Sequence, residues 1–171
     1  INEIKDRYIG SPEFSNLPRK YKTAFTGVPV PDILHEVQDI AFCAVEHPEL
    51  GVGYDLWVGG GLSVNPMLGT RLGVFVKPEL ATEVWKGVTS IFRDHGYRRL
   101  RNRARLKFLV KSWGAEKFLQ VLQDDYLGFE LPKGPAPKTA SHGDRGDHVG
   151  IHQQKDGNWY VGVAPVAGRV S

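Results

Sequence analysis

The sequence predicts an α+β fold, a mixed or antiparallel sheet packed against helices. Short apolar and alternating runs, each of strand length, gather before Gly61. Apolar positions at helical spacing gather between 79 and 126. A stretch rich in Gly and Pro, 128–147, then separates a last pair of strand-like runs.

The elements follow in order. Residues 1–9 read as the tail of a helix ended at Gly10-Ser11-Pro12. Residues 11–18 are a loop. Residues 19–27 alternate well enough for a strand, and Val28 to Pro31 break it. Asp32 is placed to cap one helical turn through Glu36. The apolar runs 38–46 and 53–59, joined by the turn-rich 47–51, predict a hairpin. A helix is expected over 79–95, where Leu80, Val84, Val88, Ile91 and Phe92 share a face and Gly96 follows as a stop. A second is expected near 102–112 and a third over 114–126. Beyond the 128–147 linker, 148–153 and 159–166 read as strands around Asp156-Gly157.

Length and composition bound the function. The 171 residues suffice for one ordinary domain or two small ones. With 41% hydrophobic and 24% charged residues, wholesale disorder is excluded. No apolar run approaches the ~18–20 residues that span a bilayer, and no signal-peptide pattern opens the chain. The chain starts without Met and stops at Ser171 inside an apolar pattern, so it is expected to be an internal piece of a longer protein. Cys43 is the only cysteine. That excludes an internal disulfide framework, and a self-contained iron–sulfur or structural zinc site needing about four ligands. A reducing, cytoplasmic compartment fits. Cys43 sits in an apolar run and is expected to be a buried, inert thiol. The six histidines show no zinc spacing.

Charge is localised. Eight basic residues and one acid lie between Arg93 and Lys111; that stretch carries +7 of a chain total of +3, so the remainder is net −4. A local polyanion, either nucleic acid or an anionic cofactor, would suit it; a solvated helix face would also explain it. On one helix, Arg98, Arg101 and Arg105 would fan from a shared face at i, i+3, i+7. In Lys20-Tyr21-Lys22, a strand would project both ammonium groups to one side and Tyr21, Thr23 and Phe25 to the other. Paired lysines repel unless an anion lies between them, although exposed pairs are common on strands. Gly59-Gly60-Gly61 would allow close backbone approach to a flat or anionic ligand, and equally suits a tight connection.

Three segments, 16–23, 55–63 and 93–107, together resemble the siroheme-containing sulfite and nitrite reductases, and among them the ferredoxin-dependent assimilatory sulfite reductases of actinobacteria. The resemblance implies a sulfite reductase hemoprotein-like domain over 11–127, with 1–10 ending a preceding helix and 148–171 opening a truncated ferredoxin-like half-domain. It implies six-electron reduction of sulfite to sulfide, or alternatively of nitrite to ammonia. Siroheme and a 4Fe–4S cluster would be the cofactors, with ferredoxin as electron donor and a monomeric parent protein that binds neither nucleic acid nor membrane. Siroheme carries eight carboxylates, which gives the basic segment an anion to neutralise. Lys20 and Lys22 match the pair that faces the substrate. Arg19, Lys20, Gly59, Gly60, Gly61, Arg103, Arg105 and Lys107 would line the cofactor. The glycine triplet is typical of the sulfite-reducing branch. The cluster cysteines and two substrate-binding arginines would lie outside these residues, so no metal ligand is expected here and the 171 residues alone are expected to be inert. Outside the family, a nucleic-acid-binding module and a degenerate structural half are the competing readings.

Overall fold

The most apolar run of the chain, at 40–45, becomes the central strand of a sheet. The computed structural model describes residues 1–28, 33–63, 65–138 and 149–165. Pro29 to Asp32, and with them the proposed Asp32 cap and part of the breaker, lie outside the described residues, as do 139–148 and 166–171. The chain divides into two units, Ile1–Thr139 and Ala140–Ser171.

In the first unit four strands run in the order β1 (Thr23–Phe25), β2 (Ile40–His47), β3 (Gly51–Val58), β4 (Thr70–Val76). β1 pairs parallel to β2 and the other pairs are antiparallel, so the sheet is mixed. The β2–β3 hairpin is the expected one, closed at His47–Gly51. β4 adds to that expectation. Its alternation of Leu72, Val74 and Val76 is interrupted by Gly73 (φ +72), which weakens the strand signal. One face of the sheet presents Ile40, Phe42, Leu56, Val58, Leu72, Val74 and Val76 to a core shared with the helices.

α2 (Ala81–His95) buries Val84, Val88, Ile91 and Phe92 completely on that face, and Gly96 follows it. α3 (Leu106–Val121) is broken at Gly114, whose φ of +78 no helix accommodates. The two pieces match the separate helices expected on either side of 113, except that the first starts at Leu106 rather than 102. The second continues through a wider turn, Leu122–Leu127.

Both ends of this unit extend past the expected limits. α1 (Asn2–Tyr8) stacks Tyr8 on Trp85 with centroids 5.2 Å apart and buries Ile4, so 1–10 packs with the domain. The start of the expected linker also belongs to it: Leu131 is buried, Phe75 donates its N–H to the Pro132 carbonyl at 2.7 Å, and Gly134 donates to Gly73 at 3.0 Å. These residues continue the free edge of β4, satisfying its backbone groups.

The second unit contains an antiparallel hairpin, β5 (Gly150–Gln153) and β6 (Trp159–Gly162), in the register the Asp156-Gly157 turn predicts. The Asp156 carboxylate accepts the Asn158 N–H at 3.0 Å and fixes that turn.

Candidate functional site

The glycine loop after β3, the 19–22 segment before β1 and the start of α3 meet around two adjoining clefts. The smaller, about 280 Å³, is lined by Arg19, Lys20, Arg101, Arg105 and Lys107, together with Leu62, Ser63 and Asn102. The larger, about 660 Å³, is lined by Arg103 and Lys111 with His95, Tyr97, Met67 and Trp113. Asn65 and Phe108 border both. Among the described residues the two clefts contain seven Arg or Lys side chains and no acidic one. Like charges crowded in this way raise one another's energy unless an anion joins them.

In the 19–25 segment regular strand pairing begins only at Thr23. Tyr21 stacks on Phe92 at 5.6 Å, Thr23 accepts the Trp85 indole N–H at 2.8 Å, and Phe25 stacks on Phe42 at 4.5 Å. Lys20 lines the smaller cleft, whereas Lys22 lines neither. Lys20 is exposed and has no hydrogen-bond or ionic partner among the described residues. Lys22 differs: its ammonium donates to the Val37 carbonyl at 3.2 Å, and its backbone N–H donates to Asp39 at 2.9 Å. Arg19 donates to the Arg101 carbonyl at 2.7 Å and so holds the Arg101–Arg103 turn against this segment.

Arg105 lies just before α3 and is 6% exposed. It grips the fully buried Asp39 with two nitrogens, Nε to Oδ1 at 3.0 Å and Nη2 to Oδ1 and Oδ2 at 2.9 and 2.7 Å. Burial pushes the Asp39 carboxyl up, while Arg105 and Lys22 oppose that push. Every side-chain partner of Asp39 is a donor, the arrangement of an ionised carboxylate. Lys107 is buried and spends its ammonium on the carbonyls of Gly61, Leu62 and Asn65, which closes the glycine loop. Burial first, and then the Arg105 charge, hold its pKa below the usual lysine range.

The glycine triplet makes its close approaches to the protein itself. Its three N–H groups donate to the Asp39, Gln38 and Met67 carbonyls at 2.8, 2.8 and 2.9 Å. A Cβ on Gly60 would run into the Glu36 carbonyl, and one on Gly59 (φ +78) would lie 2.8 Å from Val110. At Gly61 the neighbours are Arg105 and Lys107, at 3.2 and 3.4 Å. The triplet therefore thins the wall behind the cationic side chains.

The expected arginine fan does not form. Arg98 lies in the loop between α2 and the Arg101–Arg103 turn and donates to Asn16 and to the Arg93 carbonyl. Arg101 lies in an isolated turn, and Arg105 is turned into Asp39. Continuing one helix through 98–105 would stack like charges at i, i+3 and i+4, which the chain avoids by breaking at Gly96. Asp39 was not among the expected site residues. Its one signal was a lone acid directly ahead of a strand with no other charge before Glu46.

Residues 1–131 match the family described as nitrite and sulphite reductase 4Fe-4S domain. The chain belongs to the nitrite and sulphite reductase family. Within it, the chain is 59% identical over all 171 residues to sulfite reductase (ferredoxin) 2 of Mycolicibacterium paratuberculosis, covering 30% of that protein. It is 37% identical to the assimilatory ferredoxin-dependent nitrite reductase of Haloferax mediterranei, over 92% of this chain and 29% of the other. The solved structure of the Mycobacterium tuberculosis NirA protein superposes with a TM-score of 0.89 at 57% identity, over 99% of this chain and 30% of that one. The chain thus spans about 30% of the length of the reductases it matches.

Proposed function

We propose that this chain forms the cofactor- and substrate-facing wall of a ferredoxin-dependent sulfite reductase, which reduces sulfite to sulfide by six electrons. The observation that carries the reading is the pair of adjoining clefts, which among the described residues hold seven cationic side chains between them and no acidic one. Siroheme, a tetrapyrrole rich in carboxylates, fits it by charge. The residues that would hold it are Arg19, Arg101, Arg103 and Arg105, with Lys20 at the rim and the 59–61 backbone as a thin wall. When bound, siroheme and the 4Fe–4S cluster would supply the electron transfer. A cluster needs about four thiolates, and this sequence has the single, fully buried Cys43. These 171 residues therefore cannot hold it by themselves, and they would be inert alone.

The chain's own residues bind and protonate. Lys20, unpartnered and exposed, would attract the oxyanion and deliver protons to oxygens leaving as water. Lys22, tethered through Val37 and Asp39, would add a second charge at a fixed distance along the backbone. Lys107 would act by its charge and by closing the loop, since its ammonium already meets three carbonyls.

Sulfite is favoured as substrate because the relatives named for it are 57–59% identical, against 31–37% for those named for nitrite. Nitrite is the second reading, and the relative in Haloferax supports it. The nucleic-acid reading loses its main support, because Arg93 and Arg98 are spent on Asp94 and on backbone carbonyls rather than forming a continuous stripe. Ferredoxin as donor, a monomeric parent and a cytoplasmic location complete the proposal. Among the described residues no helix is long and apolar enough to cross a membrane.

The test uses the intact parent protein. It should show siroheme absorption bands that shift when sulfite is added after reduction. Lys20→Ala and Lys22→Ala should each lower sulfite reduction by about 100-fold or more while the bands remain, in the range of lost acid–base and charge-stabilising groups. A colourless protein from cells with adequate iron and siroheme would overturn the reading.

A further inference from the structure

We propose that Asp39 is the positioning residue that holds the cofactor arm and the substrate arm of the cleft in one fixed relation. The inference rests on the reading given above and goes beyond it, because it assigns the coupling of Arg105 to Lys22 to a residue that faces neither ligand.

Among the described residues Asp39 is the one acid buried against the walls of the cationic cleft, and its charge opposes any anion bound there. Its contacts show what that charge does. Oδ2 accepts at once from the Lys22 backbone N–H, at 2.9 Å, and from Arg105 Nη2, at 2.7 Å. Oδ1 accepts from Arg105 Nε at 3.0 Å, which completes a two-pronged grip. The Asp39 carbonyl accepts the Gly59 N–H at 2.8 Å. One residue therefore ties together the 20–22 segment, the glycine loop and the start of α3.

The grip also determines what Arg105 offers. With Nε and Nη2 occupied, the guanidinium plane cannot turn. Nη1 is the nitrogen left without a partner among the described residues, in a side chain that lines the cleft. A carboxylate on the cofactor would meet a donor whose guanidinium plane is already held in place, at little cost in reorganisation. Displacement of Arg105 would release Oδ2 and with it the Lys22 backbone. Cofactor seating and substrate binding would then fail together.

The test compares Asp39→Asn, Arg105→Gln and the double variant in the intact parent protein. The readouts are siroheme content per protein and the dissociation constant for sulfite from the band shift of the loaded fraction. Asp39→Asn preserves the side-chain shape and replaces acceptor capacity with a donor. It should lower siroheme content and raise the sulfite Kd of what remains by about tenfold or more, the range for residues that orient a bound group's direct contacts. The double variant should be no worse than the poorer single variant, because the two act as one unit. If Asp39→Asn does not fold, Asp39→Glu serves: it keeps the charge and moves the carboxylate by one methylene, and the same joint loss is expected. Wild-type Kd in the loaded fraction, with only a lower melting temperature, would overturn the proposal and leave Asp39 a structural ion pair. Additive losses in the double variant would also overturn it. A colourless wild type would instead overturn the siroheme reading, and this proposal with it.

Discussion

Two buried aspartates, each paired with an arginine, are held in contrasting ways. Asp39 uses both oxygens, and its partner Arg105 is almost completely enclosed. Asp55 uses only Oδ2, which accepts from Arg71 at 2.8 Å and from the Trp57 indole at 2.7 Å; its Oδ1 has no partner among the described residues, and Arg71 remains 30% exposed. The first pair borders the cleft. The second lies at the irregular step between β3 and β4, where Arg71 also reaches the Gly134 carbonyl and ties down the 131–134 segment. A pair that only has to close a sheet edge can leave an oxygen unused and a guanidinium partly in water. A pair that has to aim a side chain at a ligand leaves no such freedom.

Removing each carboxylate separates the two cases. Asp39→Ala strands the Arg105 charge in a buried site and should cost about 3–5 kcal/mol, read from denaturant unfolding of the parent protein. Moving the wall instead of the charge should do less. Gly60→Ala forces a methyl group into the Glu36 backbone, for about 1–3 kcal/mol, and should lower siroheme content with all cationic residues intact. Asp55→Ala leaves an arginine that can turn to water and an indole N–H without its acceptor, for about 1–2 kcal/mol, with siroheme content unchanged. If Asp55→Ala proved as costly as Asp39→Ala, the contrast would fail.

The smallest effect is a pH dependence. Cys43 pairs with Asp55 across β2 and β3. Burial first, and then the Asp55 charge, push its thiol up to about 12 from 9.0. The folded state therefore holds its proton where the unfolded chain has lost it. This contribution is intact below pH 9.0 and is lost as the pH rises from 9.0 toward about 12. Cys43→Ala should flatten part of the alkaline fall in unfolding midpoint. In the native parent the Cys43 peptide should resist alkylation at pH 8.

Much of this was legible in the residues. Tyr21 and Phe25, two residues to either side of Thr23, pack inward as the aromatic anchors the sequence displays. The helices 79–95 and 114–126 carry their own periodicity, and the break between the two pieces of α3 is marked by Gly114. The arginine fan failed because a run of charges has no hydrophobic phase; nothing local says which arginine turns inward. Arg105 turns inward because of a carboxylate 66 residues away, a pairing created only by the fold. The glycine triplet announced a close approach without saying to what, and the neighbours proved to be the Glu36 and Gln38 backbone.

The most direct measurement is a sulfite titration of the reduced, siroheme-loaded parent carrying Lys20→Ala, followed by visible absorption. The cleft as described predicts that the bands remain at wild-type intensity while the sulfite-induced shift needs about tenfold or more sulfite, the scale of a lost charged hydrogen bond in a water-excluded site. An unchanged titration would contradict the claim that this wall, through its free ammonium group, holds the anion.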